Sequence, residues 1–371
     1  MVDPGATPHN LPRSGVVAFV GREAELNQIH QQLQQASRVA ITALSGMGGI
    51  GKTELALQYA LAQMEQNSYP GGICWLRVRE SDISTQVIGF AQTHLDLVIP
   101  EGLNLDAVGQ VAYCWQHWKP GAVLIVLDDV TDYGVIKPHL VGMPSRFKLL
   151  LTTRLSLGKA FQPLDLPVLD EAASLELLRS LTDPERINSQ LAEAIALCEW
   201  VGYLPLGLEL LGRYLEAKPD LTLAKLLQRL QDQRLTAQAF KHTHPDMTAS
   251  LGVVAAFELS WQDLEESVQQ LACWLSLFAL SPIAWELVET MLPQINREEM
   301  VEDRRDRLVA LHLLQRVSTG SYQLHQLLRR FFAAKRQERS DAEALREIYI
   351  QGMIKIAQQI PFTANREVYL A

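Results

Sequence analysis

Hydrophobic positions along this chain follow two rhythms, and the change between them marks its organisation. Short, mostly apolar runs come first, at Val39 to Leu44, Gly72 to Val78, Ala122 to Leu127 and Lys148 to Thr152. Runs of this length suit strands buried on both faces of a parallel sheet. Helical spacing separates them over 53–66, 83–95 and 105–118, so an α/β domain is predicted. A helix to about Ala36 precedes the first strand, with Glu23 and Glu25 in its first turn, where the helix dipole favours acids. From Asp170 onward the texture is helical, with helices predicted over 171–181, 187–201, 206–218, 221–231 and 264–280 and others to about Leu314. Thr319-Gly320 between short apolar stretches predicts a hairpin over 315–324, followed by helices over 325–335 and 341–360.

The first strand and helix flank Gly46-Met47-Gly48-Gly49-Ile50-Gly51-Lys52-Thr53, which fits the phosphate-binding P-loop pattern. Its glycines let successive N–H groups point into one concavity, and the helix N-terminus adds partial positive charge. Lys52 is placed to reach the β- and γ-phosphates of ATP, or the β-phosphate of ADP, and the Thr53 hydroxyl to ligate Mg²⁺. Glu54 continues the binding segment into the helix. The third apolar run ends in Asp128-Asp129. In a parallel sheet that end faces the ligand crevice. Asp128 then suits the magnesium ion and Asp129 an attacking water, the arrangement of a Walker B strand; the competing reading is a strand entering an Asp-rich turn. The fourth run ends in Thr153-Arg154, near the γ-phosphate if that strand lies beside the P-loop strand, although a lone arginine there is as readily a solvated surface residue. Phe19 and Val20, just ahead of the first helix, are apolar residues suited to cover an adenine.

Composition narrows the classes. The 371 residues suit two or three domains, and 48% hydrophobic with 20% charged residues is the balance of a folded protein. A net charge of −9 argues against broad electrostatic capture of nucleic acid or anionic membrane. Cys74, Cys114, Cys198 and Cys273 show no metal-ligand spacing and read as reduced, buried thiols of a cytoplasmic protein. The most apolar segment, Leu271 to Trp285, is interrupted by Ser276, Ser281 and Pro282 and is shorter than the ~18 residues of a membrane span. The first 17 residues, with Pro4, Pro8, Pro12 and Gly15, lack the apolar core of an export signal and read as a linker.

With Val20-Gly21-Arg22-Glu23, the P-loop, Leu127-Asp128-Asp129, Thr152-Thr153-Arg154, Gly202-Tyr203-Leu204-Pro205-Leu206 and Leu324-His325-Gln326 in this order, the sequence resembles the NB-ARC family of STAND-class signalling ATPases from Phe19 to about Arg336. The resemblance implies an α/β P-loop NTPase with a parallel sheet, followed by a small helical domain and a winged-helix domain. The corresponding boundaries are 1–17 linker, 18–166 nucleotide-binding domain, 167–248 helical domain, 249–338 winged helix, and 339–371 a helical linker toward a C-terminal repeat or sensor region outside this chain. It further implies Phe19, Val20 and Arg22 at the adenine, Pro205 on the base, Arg154 as phosphate sensor, and His325 on the ADP β-phosphate. Leu324 and Gln326 stand where the family has Met and Asp. The implied function is an ATP/ADP switch, closed with ADP and opening to self-oligomerise with ATP, with slow hydrolysis through Lys52, Asp128, Asp129 and Arg154. An upstream effector region is expected beyond this chain. Two rivals are a transcription regulator using the winged helix and an AAA+ type motor, whose acid pair is more often Asp-Glu.

Overall fold

In the computed structural model the described residues are 7–42, 49–79, 82–100, 103–155, 157, 161–232, 251–292 and 298–359. The chain divides into two compact units. One comprises residues up to Ser14, Gly21–Gly46 and Ile50–Pro167; most of the other follows Val168.

The first unit contains α1 (Glu23–Ala36), β1 (Arg38–Thr42), α2 (Lys52–Glu65), β2 (Gly72–Arg77), α3 (Ile83–His94), α4 (Ala107–His117), β3 (Val123–Val130), the short α5 (Tyr133–Ile136), β4 (Phe147–Thr153) and β5 (Gln162–Asp165). The strands form one parallel sheet in the order β2-β3-β4-β1-β5. Burial explains why the apolar runs became strands: Val39, Ile41, Leu124, Ile125, Val126, Leu150 and Leu151 are all removed from solvent. On one face Trp115 and Trp118 of the α4 region pack edge-on against Phe147, and Phe90 of α3 stacks on Trp118.

Two features depart from expectation. The unpredicted strand β5 contains Pro163, which a central strand rejects because it cannot donate; β5 is an edge that pairs only with β1. The segment expected as a linker over 1–17 is hydrogen-bonded to the opposite edge across residues 7–10. In β2, the peptide groups of Ile73, Trp75 and Arg77 face away from β3 and need partners. Pro8 O accepts from Ile73 N at 2.8 Å. The Asn10 amide accepts from Trp75 N at 2.6 Å and donates to Trp75 O at 2.9 Å. Gln86 of α3 treats Arg77 in the same way, accepting at 2.8 Å and donating at 3.2 Å. A side-chain amide carries the donor and acceptor of a peptide group, so Asn10 and Gln86 replace a neighbouring strand.

The second unit begins with α6 (Glu171–Leu181), α7 (Pro184–Ser189), α8 (Leu191–Trp200), α9 (Pro205–Glu216) and α10 (223–232). The helix expected over 187–201 is two helices, because Asp183 caps a short helix opened by Pro184 and the chain turns at Gln190 (φ −128°, ψ 47°). The expected connection over 233–250, with His242, His244 and Pro245, lies outside the described residues. Beyond it come α11 (Leu251–Gln262), α12 (Glu266–Leu275), β6 (Ile283–Ala284), α13 (Trp285–Met291), α14 (Glu298–Ala310), β7 (Gln315–Ser318), β8 (Ser321–Gln323), α15 (Gln326–Gln337) and α16 (Ala342–Gln359). β7 and β8 form the expected hairpin, and β6 adds to β8 in a three-stranded antiparallel sheet. Arg305 of α14 lies 5.3 Å from the ring centres of both Trp285 and Tyr322, bracing the sheet through its cation–π contacts. Among the described residues no helix is long and apolar enough to cross a membrane.

Candidate functional site

The site is built at the C-terminal ends of β1, β3 and β4. β4 lies between the P-loop strand and the aspartate strand, pairing with both. Gly46, Met47 and Gly48 lie outside the described residues. Gly49 and Gly51 adopt φ of 81° and 96°, values that a side chain would strain, and Gly51 is the N-cap of α2. Ile50 is buried between them. Lys52 and Thr53 therefore open α2 at its positive end.

Thr53 Oγ1 donates to Asp128 Oδ1 at 2.8 Å, bringing together the helix and strand residues predicted to share a metal. Thr152 donates to the same oxygen at 2.5 Å, while its Oγ1 accepts from Asp129 N at 2.8 Å. One buried hydroxyl thus holds both carboxylate residues in place. Asp129 needs this support because its φ is 55°, in the left-handed region, where the β3–β4 register shifts between Leu127 and Val130. Its carboxylate also pairs with Arg79, at 3.2 Å.

The sequence reading chose Thr153 as the polar group of β4, but the Thr153 hydroxyl is buried and donates to Val130 O at 2.6 Å. Successive side chains of a strand face opposite ways, so only one of the two threonines can turn to the aspartates. That alternation leaves Thr152 as the missed residue. Arg79 was missed too; its only sequence signal is a cation two positions past the C-terminal end of a parallel strand.

Electrostatics favour an anion here. Burial lowers the Lys52 pKa to about 8, with Arg154 contributing in the same direction, and the neighbouring Asp129 and Asp128 only partly offset this. An ammonium so placed lacks compensating negative charge, which a polyphosphate supplies. Burial raises the Asp128 pKa against hydrogen bonds from Thr152 and Thr53. A hydroxyl and a carboxylate in contact are hard oxygen donors of the kind Mg²⁺ takes alongside phosphate, so Thr53 and Asp128 fit that ion, which would supply charge neutralisation at the phosphates.

Elsewhere in this unit, Arg22 is buried and donates to Glu25 at 2.9 Å and to Pro167 O at 2.8 Å. Glu54 accepts from Ser14 and Gln58, each at 2.7 Å. Phe19 and Val20, which group with the second unit, are half-buried. In the second unit, Pro205 is the first residue of α9. His325 caps α15, its Nδ1 accepting from Leu327 N at 3.2 Å, which in the neutral ring puts the proton on Nε2.

Residues 22–184 match the NB-ARC domain family model. The chain carries an NB-ARC domain. Two curated relatives are named "Regulatory protein AfsR": that of Streptomyces griseus is 25% identical over 94% of this chain and 35% of its own length, and that of Streptomyces coelicolor 26% identical over 90% and 34%. "Disease resistance RPP8-like protein 3" of Arabidopsis thaliana is 25% identical over 72% of this chain and 30% of its own. The chain spans about a third of the length of these relatives. The match to the NB-ARC domain model agrees with the P-loop residues and the parallel sheet that carry the site.

A mutational prediction follows from the threonine clamp. Thr152→Val keeps the shape but leaves Asp129 N without this partner. For the ATP hydrolysis proposed below, a roughly 10- to 100-fold slowing is expected, with nucleotide affinity little changed. Single-turnover rates set beside equilibrium titration separate the two effects.

Proposed function

We propose that this NB-ARC protein is an ATP/ADP switch, closed with ADP and opening to self-associate with ATP, that hydrolyses ATP slowly as a reset. The observation that carries the reading is the cluster of Lys52, Thr53, Asp128, Asp129 and Thr152 at adjacent strand ends. Lys52 and the α2 N-terminus bind the phosphates, Arg154 senses the third one, and Asp129 orients the attacking water. Phe19, Val20 and Arg22 serve the adenine, with Pro205 on the base. His325 serves the ADP β-phosphate, the role that its place in Leu324-His325-Gln326 implies. Residues 249–338 are proposed as a winged helix, a reading supported by the hairpin flanked by helices. The regulatory names of the relatives favour a signalling output, and the local cytoplasmic setting and self-association belong to the same proposal.

A ligand shifts a conformational equilibrium only through its differential affinity for the two states. His325→Ala is therefore expected to speed ADP release roughly 10-fold, the loss of one charge-assisted hydrogen bond, while leaving ATP binding close to wild type. Stopped-flow release of a fluorescent ADP measures it. An unchanged release rate would remove His325 from the switch. Size-exclusion chromatography with ATP against ADP tests self-association, and elution at one position with either nucleotide would refute it.

A further inference from the structure

The segment over residues 7–14 does more than cover an edge. It begins with Thr7, which is buried and donates to Asn67 Oδ1 at 2.6 Å, just beyond α2. Pro8 and Asn10 then hold the β2 edge, His9 forming a parallel bridge with Ile73. Gly72 matches this approach, since a Cβ there would lie 3.2 Å from Pro8 O. Four residues beyond Asn10, Ser14 Oγ donates to Glu54 Oε1 at 2.7 Å and lies 3.3 Å from Gln58 Nε2. Glu54 directly follows Lys52-Thr53 in the first turn of α2. The segment is thus anchored at both ends of the P-loop helix and along the sheet edge between them.

We propose that residues 7–14 are a nucleotide-coupled strap, docked on the outer edge of β2 through Asn10 and tied through Ser14 to the first turn of α2, so that strap docking and nucleotide binding reinforce each other. The coupling rests on the nucleotide site proposed above. A phosphate ligand orders the first turn of α2, which fixes Glu54 as an acceptor; a docked Ser14 orders the same turn and favours the ligand. Linkage requires the effect to be mutual. His9, Asn10, Arg13 and Ser14 are polar and exposed, and Pro8, Leu11 and Pro12 are only partly covered, so detachment is compatible with an intact fold.

Arg13 provides the readout. It is exposed and is the only Lys or Arg before Arg22, which is buried, so tryptic cleavage after Arg13 reports strap detachment. Limited trypsinolysis of the full chain, followed by intact mass, measures the rate. Saturating ADP with Mg²⁺ is expected to slow this cleavage several-fold. Asn10→Ala and Asn10→Asp, which lose one or both amide contacts, are expected to speed it roughly 10-fold or more. Ser14→Ala, with Asn10 intact, should keep slow cleavage but lose the protection by ADP, and should bind ADP several-fold more weakly. Two outcomes overturn the proposal while leaving the nucleotide site standing: cleavage indifferent to ADP that is shown by dialysis to be bound, or Asn10 variants cut at the wild-type rate. Failure of ADP to bind at all would overturn the nucleotide site and the coupling together.

Discussion

Lys52→Ala is expected to abolish measurable nucleotide binding without destabilising the nucleotide-free protein. Charge-assisted contacts to two phosphates, at about 1.5–3 kcal/mol each, correspond to a loss on the order of 10² to 10⁴ in affinity. The second half of the expectation comes from the lowered pKa of Lys52, about 8, because the neighbouring carboxylates offset the burial of its ammonium only in part. Removing such a charge relieves a desolvation cost. The variant should therefore melt at or above the wild-type temperature without ligand, and should lose the increment that ADP gives wild type by binding the folded state. Thermal melts with and without ADP, beside equilibrium dialysis, check both parts. Tight ADP binding by the variant would remove the P-loop from the site.

Lys335→Ala is expected to have the largest effect on folding. Glu258 on α11 is 2% exposed, and its Oε1 lies 2.7 Å from Lys335 Nζ on α15, where Phe257, Trp261, Phe331 and Phe332 pack around the two helices. Breaking a buried pair from one side costs about 3–5 kcal/mol, because the remaining charge has neither water nor partner. The sign of the pH dependence follows from the direction of the Glu258 shift. Burial already raises its pKa above the ordinary carboxylate value, and Lys335 opposes that shift. Without Lys335 the folded-state pKa climbs further. The folded state then binds a proton that the unfolded state releases, so stability falls as pH rises from the unfolded pKa toward the folded one. The variant should lose less stability at pH 5 than at pH 8, and Glu258→Met combined with Lys335→Met should recover most of the loss. Urea unfolding followed by tryptophan fluorescence measures all three.

These expectations draw unequally on sequence and structure. The P-loop, the paired aspartates and the strand–helix alternation were legible because each is a local pattern: glycines where the backbone must turn, a cation where phosphate sits, and mostly apolar runs where both faces of a strand are covered. The hairpin over 315–324 was legible for the same reason. The choice between Thr152 and Thr153 was not made by the residue types, which are identical. It depended on which side of β4 faces β3, and hence on strand order. Arg79 and Asp129 are 50 residues apart in sequence and meet only because β2 and β3 are neighbours.

The sequence by itself determined that the chain is an α/β P-loop protein with helical elements to follow, because periodicity and turn chemistry act over a few residues. It also determined the identity of most groups in the site. Only the tertiary structure decided their company: β4 between the two functional strands, Thr152 on both aspartates, and residues 7–14 bound to a sheet edge instead of hanging as a linker. The reason is that hydrogen-bonding demand at a sheet edge is set by which strands happen to be missing there. A proline-rich, polar segment carries no periodicity that announces it as the partner; the unpaired peptide groups of Ile73 and Trp75 make Pro8 and Asn10 structural.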